Sequence, residues 1–193
     1  GAGEIVRYDA IAPGAVAAAV AAIRSVVEDV GLGWELSDGS FGWDAVFLDH
    51  NRAVELRDGH TRVEELPVHD PPAPVLKLLV SARGLGEEQL YERLGPHMPA
   101  DVETTASGIS FVEVTGRGIH KAKALQDLCD DLGISADDVV AFGDNRNDVA
   151  MLEWAGRSYA MANAHPAATA AADDEAPHHA DDGVAQVLEA LLS

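Results

Sequence analysis

Two carboxylates four residues apart, Asp144 and Asp148, follow an apolar run in the stretch Val139-Val-Ala-Phe-Gly-Asp-Asn-Arg-Asn-Asp-Val-Ala-Met-Leu152. Their hard oxygen donors suit a small divalent cation such as magnesium. Helix capping and compensation of the helix dipole are the competing uses for acidic residues placed here. Upstream, Lys121 stands at the expected start of a helix, where a cation opposes the macrodipole and a purely structural role gives no reason for it. Its ammonium can instead neutralise a phosphate and a carboxylate at a neighbouring strand end.

The elements that must hold these groups are marked in the same stretch. Four apolar residues, 139–142, predict a strand buried on both faces, as in parallel sheets covered by helices. The C-terminal end of such a strand is where open α/β sheets bind ligands. Gly143 is expected to permit a sharp turn and a close approach to a ligand, and Asn145 to cap a helix carrying Val149, Leu152 and Ala155. Ahead of the strand, Gly116-Arg-Gly-Ile-His-Lys121 opens a segment with Leu125, Leu128, Cys129 and Leu132 at helical spacing, ended by Gly133 as a C-cap.

The order Lys121, helix, Leu-Gly-Ile-Ser, strand, Gly143-Asp-Asn-Arg-Asn-Asp148, Met151-Leu152, Ala155-Gly156 resembles the C-terminal half of a haloacid dehalogenase (HAD) superfamily phosphatase. It looks most like the Cof branch and its sugar-phosphate phosphatase relatives. Tyr159-Ala-Met-Ala-Asn-Ala164, an alanine-rich helix through Ala172, and His179-Ala-Asp-Asp-Gly-Val-Ala185 extend the resemblance. It is specific over about 118–193 and only architectural over 10–115. The fold it implies is α/β: a partial Rossmann-like core, a parallel sheet with flanking helices, made of residues 1–9 and 116–193. Residues 10–115 would form an α+β cap of the C2 type that covers the site and reads the substrate.

The resemblance also implies chemistry. Members attack a small phosphate monoester with an aspartate, form an aspartyl-phosphate and hydrolyse it with water around one Mg2+. A carboxylate nucleophile divides a hard displacement into two easier steps, and the metal offsets charge on the transferring group. Carried onto this chain, Lys121 pairs with phosphate and nucleophile, and Asp144 is the direct metal ligand. Asp148 supports the metal through water or restrains Lys121, and Asn147 reaches a phosphoryl oxygen.

One departure stands out: the family's Asp-x-Asp-x-Thr nucleophile element has no counterpart, since no Asp-x-Asp occurs in the sequence. Residues 1–8 resemble the short strand leading into the cap. The expectation is therefore an incomplete chain, inactive alone, whose nucleophile comes from a preceding segment or from that segment in trans. The alternative is a non-catalytic phosphate-ligand binding or regulatory module of the same fold.

Composition bounds the rest. With 193 residues, 47% of them apolar, the chain can bury a substantial core. A net charge of -20 argues against nucleic acid and anionic membranes as partners. It also makes a local cation and Lys121 more necessary for any phosphate ligand. Cys129 is the only cysteine, which points to a reduced, cytoplasmic setting rather than a disulfide framework. His178-His179 with Asp181-Asp182 offers transition-metal ligands, but adjacent positions do not project to one point. Arg52, Arg57, Arg62 and Arg83 are candidates for a second anionic group.

In the expected cap, Pro13, Val16, Val20, Ile23, Val27 and Val30 predict a helix ended by Gly31. Strands are expected at 34–36, 44–48, 75–80, 102–105 and 109–114, a helix at 86–94, and turns at Asp38-Gly39 and Asp58-Gly59. Asp70-Pro-Pro-Ala-Pro74 reads as a stiff connector, and the glycine-rich residues 115–118 as a hinge.

Overall fold

The structure is a computed structural model in which residues 7–51, 64–65, 71 and 73–193 are described. It divides into two compact units, Gly1–Gly118 and Ile119–Ser193. Most of the strand expected over 1–9 lies outside the described residues, and 7–9 carry no strand. Arg52, Arg57, Arg62, the Asp58-Gly59 turn, and Asp70 and Pro72 of the connector also lie outside them.

The first unit contains α1 (Pro13–Val26), β1 (Val30–Leu36), β2 (Phe41–Trp43), α2 (Ala45–His50), β3 (Glu64–Glu65), β4 (Val75–Ala82), α3 (Glu87–Leu94), β5 (Val102–Thr105) and β6 (Val112–Gly116). The strands form one sheet in the order β3-β2-β1-β4-β6-β5. Every neighbouring pair is antiparallel except β2 with β3. The period-two alternation of a strand explains its two packed faces. Leu78 and Val80 join Ala19 and Ile23 of α1 and Leu90 and Leu94 of α3, while Leu79 joins Trp43, Phe47 and Phe111 on the opposite face.

Helix α1 stops at Val26, Val27 is extended with φ -129°, and Val30 and Gly31 belong to β1. Gly31 is needed for space: a Cβ there would lie 2.4 Å from the Phe47 backbone, so the glycine lets α2 pack on the strand. Residues 44–48 are not a strand, because Asp44 accepts the Phe47 amide at 2.7 Å and caps α2. The strand expected at 109–114 is β6, shifted along the chain. Gly116 pairs opposite Val102, so the expected hinge is partly held in the ladder, and Gly118 takes φ 74°.

The second unit contains α4 (Lys121–Leu132), β7 (Val140–Gly143), α5 (Val149–Trp154), β8 (Arg157–Met161), α6 (Pro166–Ala171), β9 (Asp174–Ala176) and α7 (Gly183–Leu192). Its three strands are parallel in the order β7-β8-β9. Ala141 packs with Leu152 of α5 and Ala168 of α6 on one face. On the other, Phe142 packs with Tyr159, Met161 and Val187 of α7. The strand is as long as the apolar run but begins one residue later, at Val140, which is 38% exposed. Among the described residues β7 pairs only with β8, so one of its edges has no strand to bury it. Gly133 ends α4 with φ 68° as expected, whereas Leu128 and Leu132 of the predicted stripe are exposed and Cys129 is buried.

The fold class is thus the expected one, an α/β core with a parallel sheet and flanking helices plus an α+β unit on a largely antiparallel sheet. Among the described residues no helix is long and apolar enough to cross a membrane.

Candidate active site

The carboxyl ends of β7, β8 and β9 each open into a short loop; the candidates Asp144, Asn147 and Asp148 lie on the loop after β7, and Lys121 at the start of α4. After β7 the chain makes a 3-10 turn, Arg146–Asp148, before α5. Asn145 caps that turn by accepting the Arg146 amide at 2.9 Å. Asp148, at its end, is 4% exposed. Its Oδ2 accepts the amides of Asp144 at 2.9 Å and Asn145 at 3.0 Å, and its Oδ1 accepts the Lys121 ammonium. A buried carboxylate with both oxygens engaged in this way has exchanged water for fixed donors.

Gly143 serves this arrangement rather than a turn. It is not among the glycines with positive φ, and a Cβ there would lie 2.5 Å from Cβ of Asp148. The close approach expected toward a ligand is an approach to a side chain of the same loop.

Lys121 is the first residue of α4, whose cap is His120, with Nδ1 accepting the Lys123 amide at 3.2 Å. The Lys121 side chain is half exposed while its partner Asp148 is buried. The ion pair accounts for a cation at a helix start, where the dipole alone disfavours it.

Asp144 is exposed. Its carbonyl accepts the His165 amide at 2.8 Å, and its Oδ2 accepts Nδ2 of Asn163 at 3.4 Å. Asn163 in turn accepts, through Oδ1, the amide of His179 at 3.3 Å and faces its Nδ1 at 2.9 Å. Asn147 is half-buried within the 3-10 turn between the two aspartates. The structure therefore brings Lys121 onto Asp148 and Asp148 onto the backbone of Asp144.

Sequence reasoning missed Asn163 and His179 as neighbours of Asp144. The available signal was their position directly after the second and third strands of a parallel sheet, where ligands bind. His178 and His179 have ring centroids 4.3 Å apart yet serve different partners, since His178 Nδ1 accepts the Ala180 amide at 3.1 Å. Among the described residues no three His, Cys, Asp or Glu side chains gather as a ready-made metal cage. In the first unit, Arg83 is engaged by Asp49 and Asp29, whose hydrogen bonds and charges push its pKa further up.

The profile of a protein family described as haloacid dehalogenase-like hydrolase matches residues 3–188. The phosphoglycolate phosphatase of Halorubrum lacusprofundi is 39% identical over 105 residues, 54% of this chain and 46% of that protein. The 5-amino-6-(5-phospho-D-ribitylamino)uracil phosphatase YbjI of Escherichia coli is 38% identical over 106 residues, 55% of this chain and 38% of that protein. Among solved structures, SMU.1108c of Streptococcus mutans aligns with a TM-score of 0.78 at 23% identity, covering 95% of this chain and 69% of that one. The HAD subclass IIB sugar phosphatase BT4131 gives 0.77 at 20% identity, covering 97% and 70%. At these identities the structures share a fold with this chain. The chain spans less than half the length of either of these curated relatives.

Proposed function

Because the chain belongs to the haloacid dehalogenase-like hydrolase family, we propose that its C-terminal unit is the metal- and phosphate-handling part of a magnesium-dependent phosphatase. Its substrate is a small phosphorylated metabolite of the sugar-phosphate class. The observation that carries the proposal is the run of contacts from Lys121 through Asp148 to the backbone of Asp144 at the carboxyl end of a parallel strand. Relatives named as phosphatases of small phosphorylated compounds support the substrate class.

Asp144 fits the metal implied by the family. It presents an exposed, hard carboxylate, and Mg2+ commonly takes one or two protein carboxylates together with waters and substrate phosphate oxygens. When bound, Mg2+ would offset charge on the transferring phosphoryl group. Asp148 fixes the Asp144 backbone and restrains Lys121. In this assignment the Lys121 ammonium holds a phosphoryl oxygen beside the nucleophile, and the Asn147 amide donates to another. Residues 10–115 act as the cap that reads the leaving group. The nucleophilic aspartate, which carries the phosphoryl group until water releases it, is not supplied by an Asp-x-Asp within these 193 residues. A reducing, cytoplasmic compartment suits the single buried cysteine.

The second reading is a module of the same fold that binds phosphorylated ligands without turnover. The test is to join an Asp-x-Asp-x-Thr segment of the family to this chain and follow phosphate release from p-nitrophenyl phosphate with Mg2+. Release is expected, and its loss in both Asp144→Asn and Lys121→Met. Release that survives either substitution refutes the role given to that residue. Saturable phosphate binding with no release in the joined protein favours the binding module.

A further inference from the structure

Three successive loops contribute one residue each to a continuous chain of hydrogen bonds: Asp144 after β7, Asn163 after β8 and His179 after β9. The orientation of the middle residue is chemically determined. The backbone N–H of His179 can only donate, so the Asn163 atom facing it at 3.3 Å is Oδ1. The amide nitrogen of Asn163 must then be the end that faces Oδ2 of Asp144. Because Nδ1 of His179 lies 2.9 Å from the same Oδ1, that nitrogen carries a proton, and Nε2 is left as the acceptor of the neutral ring.

We propose that Asn163, locked by His179, is a positioning residue that holds the Asp144 carboxylate for its cation. This rests on the assignment of Asp144 as metal ligand made above. An exposed aspartate can rotate about both side-chain torsions, and a cation that binds it must stop that motion. Asn163 restrains one oxygen, and as a neutral donor it leaves the carboxylate its charge. His179 touches neither the cation nor Asp144 in this scheme. Its two donors keep the Asn163 amide from turning its oxygen toward the carboxylate, an arrangement that would repel it.

Mn2+ is the probe, added to the 193-residue chain. Its affinity is read by calorimetry, its place by paramagnetic broadening of the Asp144 amide, and the His179 tautomer by nitrogen-15 NMR of the ring. Asn163→Ala is expected to weaken Mn2+ binding about tenfold, the lower end of what loss of a group orienting a ligand costs. His179→Ala should weaken it less, and His179→Asn, whose amide can replace the Nδ1 donor, should restore it. The double variant should match Asn163→Ala alone, because His179 acts only through Asn163. Additive losses, or an Nε2–H tautomer in the parent, overturn the relay. Unchanged affinity in Asn163→Ala, while Asp144→Asn abolishes binding, overturns the positioning role and leaves the metal assignment intact. No Mn2+ uptake by the parent, or uptake that survives Asp144→Asn, overturns the metal assignment and this inference together.

Discussion

Gly143 and Asp148 occupy each other's space: a Cβ on the glycine would sit 2.5 Å from Cβ of the aspartate, against any normal contact. The backbone of β7 thus comes close enough for Asp148 to reach the amides of the two residues that follow the strand. Gly143→Ala should cost about 1–3 kcal/mol, as overpacking of a well-filled site does. It should also speed hydrogen exchange at the Asp144 amide by moving its acceptor. Urea unfolding and amide exchange check both. An alanine variant as stable as the parent, with an unmoved Asp144 amide, would show that the loop has slack.

The Lys121–Asp148 pair is lopsided, with a half-exposed ammonium on a buried carboxylate. Asp148→Ala strands two backbone amides and returns the lysine to water, whereas Lys121→Met leaves the carboxylate with its two amide donors. The aspartate variant should lose about 3 kcal/mol and the lysine variant about 1 kcal/mol or less. Urea midpoints measured side by side decide it. The reverse order would mean that the ion pair, and not the amide contacts, holds the loop.

What was legible in the sequence follows local physics. Lys121, the span of α4, the Gly133 cap and the strand before Asp144 carry signals within a few residues of themselves, and the chain forms those elements, although Leu128 and Leu132 of the α4 stripe are exposed. Illegible were features set by tertiary neighbours. Gly31 looks like a helix stop until α2 is seen packed over it, and 44–48 reads as a strand until Asp44 is seen accepting an amide three residues on. Asn163 and His179 carry no local pattern that pairs them with Asp144, because three parallel strands must first align their ends. The exposure of Val140 has the same origin, since burial of a strand face depends on what lies beside it.

Asp44 offers a direct check on the corrected element. As the N-cap of α2, Asp44→Ala should destabilise the protein by about 1 kcal/mol, while Asp44→Ser should retain most of the stability. In a strand a β-branched residue would be favoured instead, so a gain from Asp44→Val would contradict the capping role. Thermal or urea unfolding of the three variants separates the possibilities.

Glu87 gives the first unit a pH dependence with a defined sign. Its Oε1 accepts the amides of Ser107 at 2.8 Å and Gly108 at 3.1 Å, which favour the charged form. Burial outweighs them, and repulsion from Glu113 adds to it, so the carboxyl pKa is raised. An acid whose pKa is higher in the folded protein stabilises it fully below the unfolded value, about 4.3, and that contribution fades as pH rises through the folded value. Glu87→Gln keeps an oxygen for the two amides and removes the charge. The variant should therefore match the parent near pH 4 and become progressively more stable than it toward about pH 7, with a modest difference because the side chain is partly solvated. Urea midpoints of the two proteins across that range test it; a variant that falls behind the parent as pH rises would show that the amide bonds outweigh burial.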